Sequence, residues 1–325
     1  MSTSWMGSDP ARREAFERSL NIAGVGSVLM QSFINRVVQQ LTVREFGLQA
    51  VLDRKAGSGL AAYVNRRTAG ATGGAWVADT TAASEETGTY AQTTFTYRTL
   101  LTRGNVTRKA QAVGATYGDT LAGEIAAKAE DFAANLESAL LIGDNGAAPT
   151  QIDGLLTLCG AVPAQIIANT SAVLGDDLSL AQLDSAIDAV KGSSGRSDLV
   201  IVGSHNGLRQ LNSALQQYQQ FSDMTEIAAG FRVRTYDGIP IVASSGMPDA
   251  MTWSGTAISG VTGSVTTALA VVNKRYCWLE ELTPQTVMPL AKTTSQNESF
   301  DMFWDGALVL GNTRGAAILG GISLS

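Results

Sequence analysis

The spacing of hydrophobic positions changes twice along the first half of this chain, and each change predicts a different kind of element. Asp9 and Pro10 form an N-cap and first-turn pair, and "SVLMQSFINRVVQQL" sets Leu29, Phe33, Val37 or Val38, and Leu41 on one helical stripe. The glycines of "AGVGS" interrupt these pieces, so residues 1–52 are expected to form an irregular, partly extended arm. The period then falls to two. "LAAYVNRR" and "YAQTTFTYRTLLTRGNVTRKAQ" are rich in Thr, Tyr, Phe and Val, as strands are. Alternation places Phe95, Tyr97, Thr99 and Leu101 on one face and Thr94, Thr96 and Arg98 on the other. Between the strands lies "TAGATGGAWVADTTAASEETG", a tip of turn-forming residues. Residues 53–110 thus read as one long β-hairpin with too few apolar residues for its own core. An isolated hairpin is marginally stable in water, so burial against a neighbouring subunit is expected.

The helical period returns strongly. From Thr120 to Ile142, apolar residues fall at Leu121, Ile125, Ala129, Phe132, Leu136 and Leu140, in steps of three and four. Asp119 is placed to cap the start, and at ~1.5 Å per residue the helix is roughly 35 Å long, enough for a spine. "LLIGDNGAAPTQIDGLL" follows, with Gly143 expected as a left-handed helix terminator and Pro149 preventing resumption. This turn lacks the alternating acids of a calcium loop. It also follows its helix, whereas a phosphate loop precedes one, so it reads as a corner. From about 176 the pattern is mixed. "DDLSLAQLDSAIDAV" is helical with Leu180, Leu183, Ile187 and Val190 on one face; "SDLVIVGS" is a buried strand and "NGLRQLNSALQQYQQF" a second helix. "DGIPIVASSGMPD" turns into a strand, "TTALAVVNKRYCWLEEL" is another, and after Pro284 and Pro289 two strands flank a Gly-Asn turn. Helix–strand alternation over 176–289 predicts one α/β subdomain.

Composition then narrows the class. The 325 residues are 45% hydrophobic but only 16% charged, about two thirds of the usual charged share. A surface so poor in charge suits a protein that hides much of itself in an assembly. Residues 1–117 carry 13 Lys and Arg against 8 Asp and Glu, whereas 118–325 carry 10 against 21, so front and rear are expected to attract between copies. Cys159 and Cys277, the two cysteines, read as small buried apolar residues. No apolar run has membrane-spanning length, and charges occupy the start where a secretory signal needs an apolar core, so a cytoplasmic protein is expected.

Little chemistry can be assembled from these residues. His205 is the single histidine, so it excludes any site needing two, and Ser204 is too close in sequence to serve it as a nucleophile. His205 reads as a capping or loop residue. "GVGSVL" and "GSGLAA" lack the third glycine of a dinucleotide fingerprint. Glu85–Glu86, Asp176–Asp177 and Glu280–Glu281 are sequence neighbours and do not form an obvious carboxylate pair; Asp176–Asp177 is assigned to the opening of a helix. No catalytic, cofactor or metal residue is expected. Trp76, near Arg66 and Arg67, reads as an interface anchor rather than a nucleic-acid stacking platform.

The order of these parts resembles the major capsid proteins of tailed bacteriophages. "LLIGDNG…P…DGLL" is similar to that family's junction at the end of its spine helix, and "YDGIPIVASSGMP" to its axial-domain strand and turn. The resemblance implies an α+β fold of the tailed-phage major capsid kind. Its parts are an N-terminal arm at 1–52, an extended β-hairpin loop at 53–110, a peripheral domain at 111–175 with the spine helix at 119–142, an α/β axial domain at 176–289, and peripheral return strands at 290–325. It implies self-assembly through hexamers and pentamers into an icosahedral shell around double-stranded DNA, built in the host cytoplasm and found in the virion. The expected partners are further copies of the chain, portal and scaffolding proteins, a cementing or decoration protein, and packaged DNA through non-specific contact, without a membrane or cofactor. Arg54, Arg66, Arg67, Trp76, Tyr97 and Arg98 are the expected inter-subunit contacts. Two departures bear on this. The arm begins almost at once, which favours a separate scaffolding protein or a chain already processed. No lysine lies between Lys55 and Lys109, so the loop tip has none for a lysine–asparagine crosslink. Two alternatives stand beside it: an encapsulin-like compartment shell, and an α/β enzyme using His205 or Cys277.

Overall fold

A short helix opens the described part of the chain: α1 (Gly47–Val51), whose Leu48 is fully buried. The computed structural model describes residues 44–69, 87–114, 120–190, 196–217, 224–226, 232–258, 265–291 and 296–324, with Trp76, Asp79 and Glu85. The expected arm up to residue 43, most of the hairpin tip and Asp119 lie outside these residues. After α1 come β1 (Asp53–Ala56), β2 (Ala61–Ala69), β3 (Thr89–Thr96), β4 (Arg98–Thr107), α2 (Arg108–Gly114) and the spine helix α3 (Thr120–Ile142). The second half adds α4 (Leu155–Gly160), β5 (Ile166–Ala168), α5 (Leu180–Ala189), β6 (Leu199–Gly203) and α6 (His205–Gln217). It continues through β7 (Met224–Glu226), β8 (Arg232–Tyr236), β9 (Ile239–Ala243), β10 (Thr266–Asn273), β11 (Cys277–Pro289), β12 (Asn297–Leu310) and β13 (Ala316–Ser323).

These strands form a four-stranded sheet, β1-β11-β12-β4, a seven-stranded sheet, β5-β13-β10-β6-β9-β8-β7, and the β2-β3 hairpin. All eight residues of β10 are buried, which requires cover on both faces of its sheet. On one face Leu199, Ile201, Leu269 and Val271 pack with Leu183, Ala186 and Ile187 of α5 and Leu211 and Leu215 of α6. On the other, Val200, Val202, Ala268 and Ala270 share a core with Phe132, Leu136 and Leu140 of the spine and with Met302, Trp304 and Leu308 of β12. The apolar stripe of α3 therefore does the work its spacing predicts, with its C-terminal half buried deepest. Tyr236–Ile239 is a two-residue hairpin turn with positive φ at Asp237 and Gly238, the backbone that "DG" favours.

Several expectations change. The strand expected to continue from 89 past 101 breaks at Tyr97. Before the break Phe95 is buried; after it the inward set shifts by one, so Leu100 packs on the core while Leu101 is 56% exposed. The reason is that β3 pairs with β2, whereas β4 pairs with β12 in another sheet. "TTALAVVNKRYCWLEEL" is likewise two strands, since β10 and β11 belong to different sheets. The strands flanking Gly311–Asn312 do not pair with each other, and β13, assigned with the peripheral return strands, lies between β5 and β10. Pro284 does not end β11; the register shifts around it, the bulge that lets a strand carry proline. Gly143 has no positive φ among the described backbone, contrary to its expected role. Glycine is needed there because an added Cβ would overlap the carbonyl oxygens of Ala139 and Ile152.

Candidate inter-subunit surface

The base of the hairpin is covered by its own chain. Ala62 and Phe95 are buried with Ala307 and Val309 of β12, and Val64, Tyr97 and Trp278 pack around them. This corrects the expectation that a neighbouring subunit must bury the whole hairpin. The two-residue period then divides the adjacent arginines. Arg66 points inward, donating from Nε to the Gly311 carbonyl at 2.9 Å and from Nη2 to that of Leu310, and burial pushes its guanidinium below its ordinary value. Arg67 is exposed on the opposite face, across from Tyr90. That outward face also carries Tyr63, with Asn65 accepting a 3.1 Å bond from Gln92 between the two tyrosines.

Three more of the expected contact residues are bound within the subunit. Arg54 Nη1 lies 2.9 Å from Glu281 Oε1, which also accepts from Trp304 Nε1 at 2.9 Å. The Tyr97 hydroxyl donates to Glu280 Oε1 at 2.6 Å, and Trp278 Nε1 donates to Glu280 Oε2 at 3.2 Å. Burial first, and then this carboxylate, push the Tyr97 hydroxyl up to about 12. Arg98 Nη2 donates to Asn145 Oδ1 at 2.8 Å and so ties β4 to the corner after the spine. The Glu280–Glu281 neighbours point apart as expected, each taken by an aromatic N–H and a second donor. Trp76 is fully exposed.

The sequence-predicted set therefore separates. Arg67 and Trp76 face solvent, whereas Arg54, Arg66, Tyr97 and Arg98 make bonds inside the chain. Sequence reasoning missed Leu60 (87% exposed), Tyr63 and Tyr90, all large and apolar on the hairpin. For Tyr63 and Tyr90 the signal was present in the alternation, which sets both on the face opposite Ala62, Val64 and Phe95. Leu60 precedes β2, and alternation with Ala62 would have turned it inward. The expected attraction between basic front and acidic rear also occurs within one chain, in Arg44–Asp131, Arg54–Glu281 and Arg103–Asp301.

The residues considered for catalysis are occupied otherwise. Ser204 Oγ accepts from the Gly207 amide at 3.1 Å, so Ser204, rather than His205, caps α6. His205 is the first residue of that helix, with Nε2 3.5 Å from Glu45 Oε2. Cys277 is buried and its thiol pushed up by desolvation, which removes the thiolate a nucleophile needs. A cavity of about 510 Å³ between α3, β4 and the corner is lined by Leu100, Leu136, Ile152 and Trp304, with Arg98 its one ionisable lining residue. Asp176 and Asp177 precede α5 rather than opening it; Asp176 bridges to Ile322, and both carbonyls accept from Asn169. Among the described residues no group of three His, Cys, Asp or Glu could hold a metal, and no helix is long and apolar enough to cross a membrane.

A two-sheet body around a spine helix, with a projecting hairpin, is the architecture of a capsid shell subunit. Residues 78–323 match the family model described as SU10 major capsid protein, and the chain belongs to that family. No curated protein matches it in sequence. Among solved structures, the holo-SrpI encapsulin complex from Synechococcus elongatus PCC 7942 superposes with a TM-score of 0.67 at 13% identity, over 94% of this chain and 98% of that one. The capsid of cyanophage A-1(L) gives 0.66 at 14% identity, over 91% and 98%. A structure from Mycobacterium phage Bobi gives 0.65 at 14% identity, over 92% and 98%. At these identities the superpositions establish the shared fold, and the family match establishes a capsid protein.

Proposed function

We propose that this chain builds the icosahedral shell of a tailed phage, assembling through hexamers and pentamers around double-stranded DNA in the host cytoplasm. The observation that carries the reading is the family match over 78–323, which covers the spine, the seven-stranded sheet and three strands of the four-stranded one. In this reading the outward hairpin face, with Tyr63, Arg67 and Tyr90, and the exposed Leu60 and Trp76 lie on a neighbouring subunit. Exposed aromatic and arginine side chains on a projecting element are the composition that interface anchors favour. The division into arm, loop, peripheral and axial parts belongs to the same proposal. So do portal, scaffolding and cementing partners, and non-specific contact with the packaged genome.

Expression with the neighbouring genes, followed by electron microscopy, tests this. Closed shells or ring-shaped capsomers support it, and a monodisperse monomer under all conditions overturns it. The encapsulin reading draws on the superposition with the holo-encapsulin complex. Particle contents decide between the two: nucleic acid supports the phage shell, and a cargo protein supports the compartment.

A further inference from the structure

Glu137 lies in the C-terminal third of the spine helix and is fully buried. A buried carboxylate is tolerated only where donors replace the water it has lost. Here three donors converge on it from two distant parts of the chain. The Leu48 amide donates to Oε1 at 2.7 Å and the Gln49 amide to Oε2 at 3.0 Å. From the end of β9, Ser244 Oγ donates to Oε1 at 2.6 Å. Two glycines allow the approach. An added Cβ at Gly47 would overlap the Ala243 carbonyl, and one at Gly246 would sit 2.9 Å from Glu137 itself.

The segment around α1 is tied to both sides beyond this carboxylate. Toward the spine, Arg44 pairs with Asp131 at 2.6 Å and Gln49 Nε2 donates to the Ala133 carbonyl at 2.7 Å. Toward the seven-stranded sheet, the Ser245 amide donates to the Glu45 carbonyl at 2.9 Å, and the Glu45 amide donates to Ser245 Oγ at 3.2 Å. The Arg44 and Ser245 side-chain ties are exposed and weak, whereas the Leu48 and Ser244 bonds to Glu137 are buried and the Gln49 bond partly so.

We propose that Glu137 is the pin of an internal latch. It clamps residues 44–51 between the spine helix and the β9 turn, so that the spine and the seven-stranded sheet move as one body. This function uses both carboxylate oxygens: Oε1 accepts from both sides at once, and Oε2 takes the Gln49 amide. Its value to a shell, a subunit that does not flex where its two parts meet, rests on the proposed function; the latch itself rests on the geometry.

Hydrogen exchange on full-length, unassembled protein tests it. In Glu137→Ala all three bonds are lost at once. Exchange at Leu48 and Gln49 and at Ser245 and Gly246 is expected to rise together, by roughly tenfold to a hundredfold. Val200–Val202 and Leu269–Val271 are expected to keep their protection. Ser244→Ala removes one donor of three and is expected to loosen the same amides by a few-fold, which retains the test if the Glu137→Ala variant does not fold. Unchanged exchange, loosening on one side only, or a uniform rise overturns the latch. Electron microscopy of wild-type assembly is read separately, so failure of the shell reading leaves the exchange result standing.

Discussion

Tyr97 sits where the chain leaves the hairpin for the four-stranded sheet, with its hydroxyl held by Glu280. Its folded value of about 12 lies above that of an unfolded tyrosine, near 10, so folding favours the protonated phenol. The stability this gives is fully present below about pH 10 and is lost as pH rises through about 12. Phenolate absorbance should therefore show a late-titrating tyrosine that is lost in Tyr97→Phe. Gly143→Ala should destabilise the subunit by about 1–3 kcal/mol in chemical denaturation, because the carbonyls it meets are backbone and cannot move aside. At this scale the sequence was legible where period alone decides. Gly143 was picked out correctly but for the wrong reason, since close approach of Ile152 cannot be read from a helix end. The opposed directions of Arg66 and Arg67 follow from strand period; that Arg66 finds the Leu310 and Gly311 carbonyls does not.

The hairpin shows how one element serves two surfaces. Arg66→Ala should cost roughly 2 kcal/mol, the scale of a charge-assisted bond, and speed exchange across 61–68 and 90–96. Arg66→Lys should not restore it, because an ammonium cannot reproduce the guanidinium fork. Replacing Tyr63, Trp76 and Tyr90 together by serine should instead leave the subunit's denaturation midpoint nearly unchanged and reduce shell yield severalfold in electron microscopy. Exposed side chains contribute little to subunit stability but can dominate association. The elements themselves were largely readable. The steps of three and four gave α3 its extent, and "DG" gave the β8–β9 turn. The break at Tyr97 was not readable, because both sides of it favour strand and only the change of partner, from β2 to β12, creates it.

At the scale of the molecule, both cysteines are core residues. Cys159 is pushed to about 12 by burial, and Cys277 is raised for the same reason. Neither should react with a thiol reagent in the folded subunit, and both should label once denaturant opens the core. Labelling of either in native protein would contradict this packing. The order of parts was visible in the sequence, which is why the family resemblance emerged from it. The assignment of strands to sheets was not visible, because β10 and β11, like β12 and β13, follow each other closely and strand propensity does not name a partner.

Those four strands have a mechanical consequence. β10 pairs with β13 and β11 with β12, so two continuous stretches of chain run side by side through both sheets. At the passage from one sheet to the other, the Gly311 amide bonds the Tyr276 carbonyl and the Asn273 amide bonds that of Gly315. A load that pulled the two sheets apart would meet both stretches at once. Here tension between the two sheets runs lengthwise along two covalent backbones, and the hydrogen bonds between them carry it as shear over many rungs. Such a subunit is expected to yield late at the place where its two sheets join.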